Sequence, residues 1–389
     1  MATSRAKIGL SLVTGALLVS AGIKAEIIFE ENFDDQPDWT SAMYSTDSVQ
    51  RAATHTIPNN WFSVRQDPYW APSTGHSDRH EAIEILASNA EQSRSETGKS
   101  YVSWRDSHDP GWKRWNSESM LMKNLGDGYD ELYVEFWIRF SPDWYRNYVA
   151  GDIGPASKIF RIASWNGQDS EYQNFGGGNN GPLMFWDHKV NSYGTRNSVA
   201  FRSGPHGDNY QMLESDVPGM PRGLQGLGDV SLSFAGDSKN MGPDGALANI
   251  PDRLNGGLIP TGQYDIITHD QIFGPEDSWT KMAFYVKMNS APGKQDGEFR
   301  QWLNDKQIFF NTNIPWIKPS ETQNENAKWN NVSIGGNDYF QDYPNEDRHE
   351  EWYSIDDIVI RSDIPNYVGA DGGGEILTPP NPPVGLSVR

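Results

Sequence analysis

The stretch ELYVEFWIRF, Glu131 to Phe140, alternates without a break. Leu132, Val134, Phe136, Ile138 and Phe140 form one face, and Tyr133, Glu135, Trp137 and Arg139 the other. A side-chain period of two predicts a strand buried on one side. The same alternation predicts strands over Glu26–Phe33, Ser100–Asp106, Lys158–Ser164, Leu183–Val190, Ser198–Arg202, Lys281–Asn289, Glu298–Asp305, Asn331–Gly335 and Trp352–Arg361. Two of these form a hairpin across the polar turn Ala291–Gly297. Its first strand puts Met282, Phe284, Val286 and Met288 on the core side, with Tyr285 and Lys287 opposite. Its second puts Phe299, Gln301 and Leu303 on one face, with Arg300, Trp302 and Asn304 on the other. Helical periodicity is missing apart from a turn near His80–Ala90. The pattern predicts an all-β fold, an antiparallel β-sandwich or jelly roll, with Ser215–Pro275 as long loops over one end.

The ends of the chain read differently. Residues 1–25, MATSRAKIGLSLVTGALLVSAGIKA, carry early basic residues and a short apolar run closing on small residues. That is the pattern of a secretory signal peptide, with cleavage after Ala21 or Ala25. The expectation is a secreted protein, periplasmic or extracellular, with no membrane insertion. One domain is predicted over 26–365. The Gly- and Pro-rich stretch 366–389 reads as a linker or tail. A net charge of −20 makes nucleic acid an unfavourable partner, and the absence of cysteine excludes a disulfide framework and thiolate-bound metals. A chain of 389 residues buries a core without such staples, and it is expected to be a monomer.

Against that acidic background, Lys158–Tyr210 stands out. It holds five basic residues, Lys158, Arg161, Lys189, Arg196 and Arg202, against four acids, Asp169, Glu171, Asp187 and Asp208. A local positive island focuses an anionic ligand even when the net charge repels it. Val199 and Phe201 have core character, which leaves Ser198, Ala200 and Arg202 on the open face. His188, His206 and Tyr210 add groups able to move protons. The non-core faces of three other strands, with Tyr133, Trp137, Arg139, Tyr285, Lys287, Arg300 and Trp302, combine aromatic and basic residues in the way a polysaccharide groove requires. An ordinary exposed sheet face accounts for any one of these strands equally well.

The runs DELYVEFWIRFSPDW, ASKIFRIAS, SVAFRSGPHGDNYQM, MAFYVKMNSAPGKQDGEFRQWLNDKQIF, VSIGGND and YSIDDIVI, in this order over Glu131–Ile360, resemble the β-jelly-roll polysaccharide lyases of the alginate lyase and glucuronan lyase type. The resemblance implies a concanavalin A-like sandwich that cleaves an acidic, uronate-containing polysaccharide by β-elimination. Position by position it implies Lys158, Arg202 and Tyr210 as substrate-facing catalytic residues. Two features depart from the family pattern: Lys158 follows Pro-Ala-Ser rather than a glycine-rich context, and Ser198 and Arg202 stand four apart. Regular alternation also sets Lys158 and Arg161 on opposite faces, so that a bulge at the strand start is needed for both to reach one cleft. The chemistry asks for cations that neutralise the carboxylate beside the carbon losing its proton. Arg202 with Lys158 or Arg161 would supply them, with Tyr210 or His188 as base and one of these, or Lys158, as acid.

Two other readings share the frame. A lectin-like binding module needs the aromatics without the proton-transfer set. A glycoside hydrolase needs two carboxylates across the cleft, and Asp130, Glu131 and Glu135 lack the spacing of the usual sandwich-glucanase strand. Acids at the first and last strands, Glu31 with Asp356 and Asp357, are candidates for a structural calcium, and solvated acidic strand ends account for them equally well.

Overall fold

The structure, a computed structural model, describes residues 26–41, 56–66, 80–106, 119–142, 144, 156–168, 180–191, 194–202, 230–233, 269–314, 316–317, 325–339 and 350–368. For 189–191, 194–202, 230–233, 271–272, 308–313 and 339 the description is of the backbone. The strands are β1 (Ile27–Glu31), β2 (Trp39–Thr40), β3 (Ser63–Gln66), β4 (Ile83–Ile85), β5 (Tyr101–Asp106) and β6 (Ser119–Tyr129). They continue with β7 (Glu131–Phe140), β8 (Ala156–Ala163), β9 (Leu183–Asn191), β10 (Gly194–Arg202), β11 (Val230–Ser233) and β12 (Thr280–Lys287). The last are β13 (Gly297–Leu303), β14 (Lys306–Ile314), β15 (Trp329–Ile334), β16 (Asp338–Tyr339) and β17 (Glu350–Arg361). Among the described residues, helix is confined to a 3-10 segment, Ala87–Gln92, and a short α1 (His269–Phe273).

Each predicted strand is present. One sheet runs β14-β13-β12-β7-β17-β5-β4-β2, with β1 joined to β17. The other runs β11-β10-β9-β8-β15-β6-β3, with β16 joined to β8. Neighbours pair antiparallel throughout, and the first strand lies beside the last. The all-β antiparallel sandwich is therefore the fold of this chain. Between the sheets lies one apolar core, which includes Leu132, Val134, Phe136, Ile138 and Phe140 of β7 and Met282, Phe284 and Val286 of β12. Aromatic rings cross the interior: Phe160 of β8 lies 4.8 Å from Phe284 and 5.0 Å from Phe136.

Strands β2, β3, β4, β6, β11, β14 and β16 escaped the sequence reading. In SMLMKNLGDGY the apolar residues give way to Asn, Gly and Asp, which alone signal a turn, and pairing with β15 and β3 overrides that signal. The β13–β14 connection is Asn304–Asp305, both at positive φ, the conformation a two-residue hairpin requires. The loops expected over Ser215–Pro275 lie outside the described residues, apart from β11, α1 and the two residues after it. Residues 1–25, expected as a signal peptide, and residues 369–389 also lie outside them. The boundary placed at 365 falls within a packed segment, since Val368 is buried against β7, β12 and β13.

Candidate functional site

The β8 strand settles how Lys158 and Arg161 relate. Lys158 pairs with Asp187 and Phe160 with Trp186, so Ile159 is an extra residue in the ladder. Ile159 and Phe160 both enter the core. The bulge resets the alternation, and Lys158, Arg161 and Ala163 share the outer face of the eight-stranded sheet. The conflict raised by regular alternation is thereby removed.

The β9–β10 register extends this face. Asp187 pairs with Ser198, Phe185 with Ala200, Leu183 with Arg202 and Lys189 with Arg196. Directly paired positions lie on one side of a sheet. The positions of Lys158, Arg161, Lys189, Arg196 and Arg202 therefore all belong to the outer face, together with Arg65 opposite Met120 on β3. The basic positions of the sequence therefore share one face of one sheet, on which Arg161, Asp187, Phe185 and Leu183 are buried and Lys158 is half-buried.

Two groups of neighbours fix the start of β8. On the outer side, the Lys158 N–H donates to the Asn337 carbonyl at 3.0 Å, and Gly336 packs against the Lys158 carbonyl. A Cβ on Gly336 would stand 2.2 Å from that oxygen and 3.1 Å from a guanidinium nitrogen of Arg161. Gly335, at φ +75°, leaves room for the Ser119 carbonyl and the Tyr101 hydroxyl. This is the local reason for the sequence IGGND. Arg161 is 3 % exposed and lies 3.0 Å from the Met120 sulfur, with Asn337 Oδ1 at 3.5 Å. Lys158 is half-buried, its Nζ 5.5 Å from the centre of the Phe185 ring.

On the inner side a buried ionic cluster ties the sheets together. Arg105 of β5 donates to Glu351 of β17 at 2.5 and 3.1 Å, to Asp338 of β16 at 2.9 Å and to Ser157 at 2.5 Å. Ser157 also bonds Asp338, and the guanidinium carbon lies 3.5 Å over the Trp144 ring. Ser157 precedes Lys158, so this cluster and the IGGND turn hold the bulge from both sides. The sequence reading missed it. The available signal was a charged residue in the core phase of two strands, Arg105 with Tyr101 and Ser103, and Glu351 with Tyr353 and Ile355.

His188 is not part of the outer face. It pairs with Ser157, is 1 % exposed, and packs among Phe140, Trp144, Phe273 and His269 between the sheets. Burial, then the neighbouring His269 and Arg105, push its pKa well below the usual imidazole value, so the ring is neutral. It is a core histidine, and its expected catalytic place is corrected. Burial lowers His269 likewise, to about 4. Tyr210 and His206 lie outside the described residues, and of Arg202 the backbone position alone is described.

The expected sugar-binding set is corrected as a group. Tyr133, Trp137, Arg139, Tyr285, Lys287, Arg300 and Trp302 do share a face, as alternation predicted, but it is the outer face of the nine-stranded sheet. The core separates it from Lys158 and Arg161. Much of it is covered: Tyr133, Tyr285 and Trp302 are buried with Ala283 and Val368, and Ile364 packs on them. Glu135 accepts hydrogen bonds from Tyr133 at 2.7 Å and Tyr367 at 2.9 Å, and Lys281 Nζ stands 3.3 Å from it. The remaining cations are matched by acids. Arg139 pairs with Asp277, Arg300 with Glu298 at 2.8 Å, and Lys287 with Glu298 at 3.6 Å. Trp137 is capped by Arg94, 4.0 Å over its ring. The C-terminal segment occupies what alternation alone presents as open.

The acids proposed for calcium do not converge. Glu31 accepts from the Phe33 N–H at 2.7 Å, Gln36 at 2.6 Å and Trp61 at 3.2 Å. Asp356 accepts the N–H groups of Arg94 and Asp357, while Asp357 pairs with the Arg94 guanidinium. Among the described residues no three ligand-type side chains gather, and these carboxylates, engaged by N–H donors, do not fit a cation site.

No family model matches the chain, and no curated protein does. Among solved structures it is similar to a double mutant of alginate lyase Aly36B in complex with alginate tetrasaccharide, at 10% identity and TM-score 0.39 over 86% of this chain and 96% of that one. It is also similar to alginate lyase vAL-1 from Chlorella virus, at 12% identity and TM-score 0.38 over 67% and 85%. A third likeness is to the botulinum neurotoxin type G receptor binding domain, at 9% identity and TM-score 0.29 over 69% and 40%. TM-scores this low decide neither activity nor site, and the fold stands on the chain's own topology.

Proposed function

We propose that this protein is an exported polysaccharide lyase that binds a uronate-containing polymer on the outer face of its eight-stranded sheet and cleaves it by β-elimination. The observation that carries this reading is the gathering of Lys158, Arg161, Lys189, Arg196 and Arg202 on one face of a chain with net charge −20. The sequence resemblance to alginate and glucuronan lyases points the same way. In the proposed step a base removes the proton on the carbon next to the carboxylate. The electron pair left behind forms the new C=C bond, the C–O bond to the adjoining sugar breaks, and an acid protonates the leaving oxygen. That carbon becomes acidic enough only when its carboxylate is neutralised. Arg161, held rigidly beneath the face, and Arg202 are the residues assigned to this task. Tyr210 is assigned as base and Lys158 or Tyr210 as acid, and His188 is withdrawn from both roles.

A hydrolase on this face is disfavoured, because among its described positions Asp187 is the one acid and it is buried. A non-catalytic binding module uses the same basic face, and product formation separates the two. The test is incubation of the purified protein with alginates, glucuronans and neutral glucans while following the ultraviolet absorbance of unsaturated ends. The lyase reading expects absorbance from at least one polyuronate and none from the glucans. Salt-sensitive binding of a polyuronate without any such absorbance supports the binding module instead.

A further inference from the structure

Two side chains of α1, His269 and Phe273, enter the inner side of the sandwich. The Phe273 ring lies 4.6 Å from His188, 5.3 Å from Trp186 and 5.5 Å from Phe140. The His269 ring meets Phe140 edge-on at 5.0 Å and stands 5.4 Å from His188. The helix also lies beside β10. The outer positions of β10 include Arg196 and Arg202, so one short helix backs the strand that bears two of the basic positions.

The docked helix holds His269 neutral. Its Nδ1 is 2.8 Å from the Gly274 carbonyl oxygen. A carbonyl only accepts, so Nδ1 carries the proton and Nε2 presents a bare lone pair. Nε2 is buried without a hydrogen-bond partner. A second proton would set an N–H and a full charge there with nothing to receive them. The packed elements offer no carboxylate: β7 presents Phe140, β9 presents Trp186 and His188, and β17 presents Tyr353, 6.1 Å from Phe140. The inward positions of β10 are Asn197, Val199 and Phe201, by their pairing with His188, Trp186 and Met184. The acids Glu351 and Asp338 are bonded to Arg105, a further positive charge. Asp270, on α1 itself, favours the charged ring but is exposed. Burial dominates and holds the His269 pKa at about 4, against the raising effects of the Gly274 carbonyl and Asp270.

We propose that His269 is an acid-sensitive latch: α1 stays docked behind β10 while the imidazole is neutral, and undocks when the ring takes up a proton. An undocked imidazole in water regains the ordinary value near 6.5. Below that pH the undocked form binds a proton that the docked form does not, so opening is favoured about tenfold per pH unit down to about pH 4. Undocking removes the support of β10 and with it the fixed placing of Arg196 and Arg202. Any consequence for polyuronate binding rests on the function proposed above, whereas the opening itself does not.

Hydrogen-exchange mass spectrometry of the full chain at pH 7, 6 and 5 tests it, corrected for the intrinsic pH dependence of exchange. The proteins are wild type, His269→Gln, which keeps a donor for Gly274, and His269→Phe, which keeps the ring packing. Opening of 269–273 and 194–202 in wild type should rise about twentyfold between pH 7 and pH 5 relative to either variant, while β7 stays protected. The same pH dependence in wild type and both variants overturns the latch. Loss of protection in β7 together with α1 overturns it too, because the acid response is then global unfolding. Opening of 269–273 with 194–202 protected at every pH overturns the link to β10.

Discussion

Lys158 and Arg161 stand three positions apart on β8 and on the same face of the sheet, because Ile159 bulges out of the ladder between them. Gly336 keeps that arrangement, since its Cα lies where any side chain would strike the Lys158 carbonyl. Gly336→Ala is expected to lose about 1–3 kcal/mol of stability by overpacking. It should also lose more activity than its melting temperature accounts for, as the added methyl displaces both cations. Gly126→Ala is the control: φ is +64° there, and a Cβ would meet nothing within 4 Å. It should show a backbone penalty of about 1 kcal/mol and wild-type turnover. Parallel losses in both variants, by denaturant melts and initial rates, would remove the special role of Gly336.

Trp302 separates the two faces experimentally. It is fully buried under the C-terminal segment, with its ring 5.7 Å from Tyr133. Trp302→Ala should cost about 3–5 kcal/mol of stability, as expected for an aromatic removed from a core. The folded fraction should bind polyuronate with wild-type affinity, because the substitution lies across the sandwich from Lys158. A selective loss of affinity with stability intact would return Trp302 to the binding surface.

Asp356 makes stability depend on pH. Burial, then the charge of Asp357 and more weakly of Asp34, pushes its pKa up to about 8, against the lowering effect of N–H bonds from Arg94 and Asp357. A carboxyl that holds its proton in the folded state and loses it in the unfolded state near pH 4 contributes stability at low pH. That contribution falls as pH rises through the folded value, by about 1.4 kcal/mol per pH unit over the window in which the two states differ. Urea melts between pH 6 and 9 should show wild-type stability declining, and Asp356→Asn should flatten the slope. Identical slopes in the two proteins would place the titration elsewhere.

The predicted strands were legible because their faces alternate, and a one-sided buried strand writes that alternation into its residues. Short strands such as β2, β3 and β4 carry too few residues to show it. Even the division of β7, β12 and β13 into two faces was correct in the sequence. Alternation does not say what covers a non-core face. Tyr133 and Trp302 have the same pattern whether a sugar or Val368 lies on them. The basic cluster was visible by composition, but its concentration on one face needed the β9–β10 register and the Ile159 bulge. Both are tertiary facts. His188 was misplaced because a histidine within a polar run looks exposed, whereas the strand phase it shares with Trp186 and Met184 belongs to the core.

The central claim, that the basic face of the eight-stranded sheet carries out the elimination, is tested most directly by one set of initial rates. Release of unsaturated ends from the preferred polyuronate is measured for wild type, Arg161→Ala, Arg202→Ala and Arg300→Ala, each confirmed folded by circular dichroism. Loss of a charge-stabilising donor raises the barrier by about 3–4 kcal/mol, so Arg161→Ala and Arg202→Ala should each fall by roughly two to three orders of magnitude. Arg300→Ala, on the opposite sheet and paired with Glu298, should turn over like wild type. Wild-type rates in Arg161→Ala and Arg202→Ala, or a collapse in Arg300→Ala alone, would contradict the account.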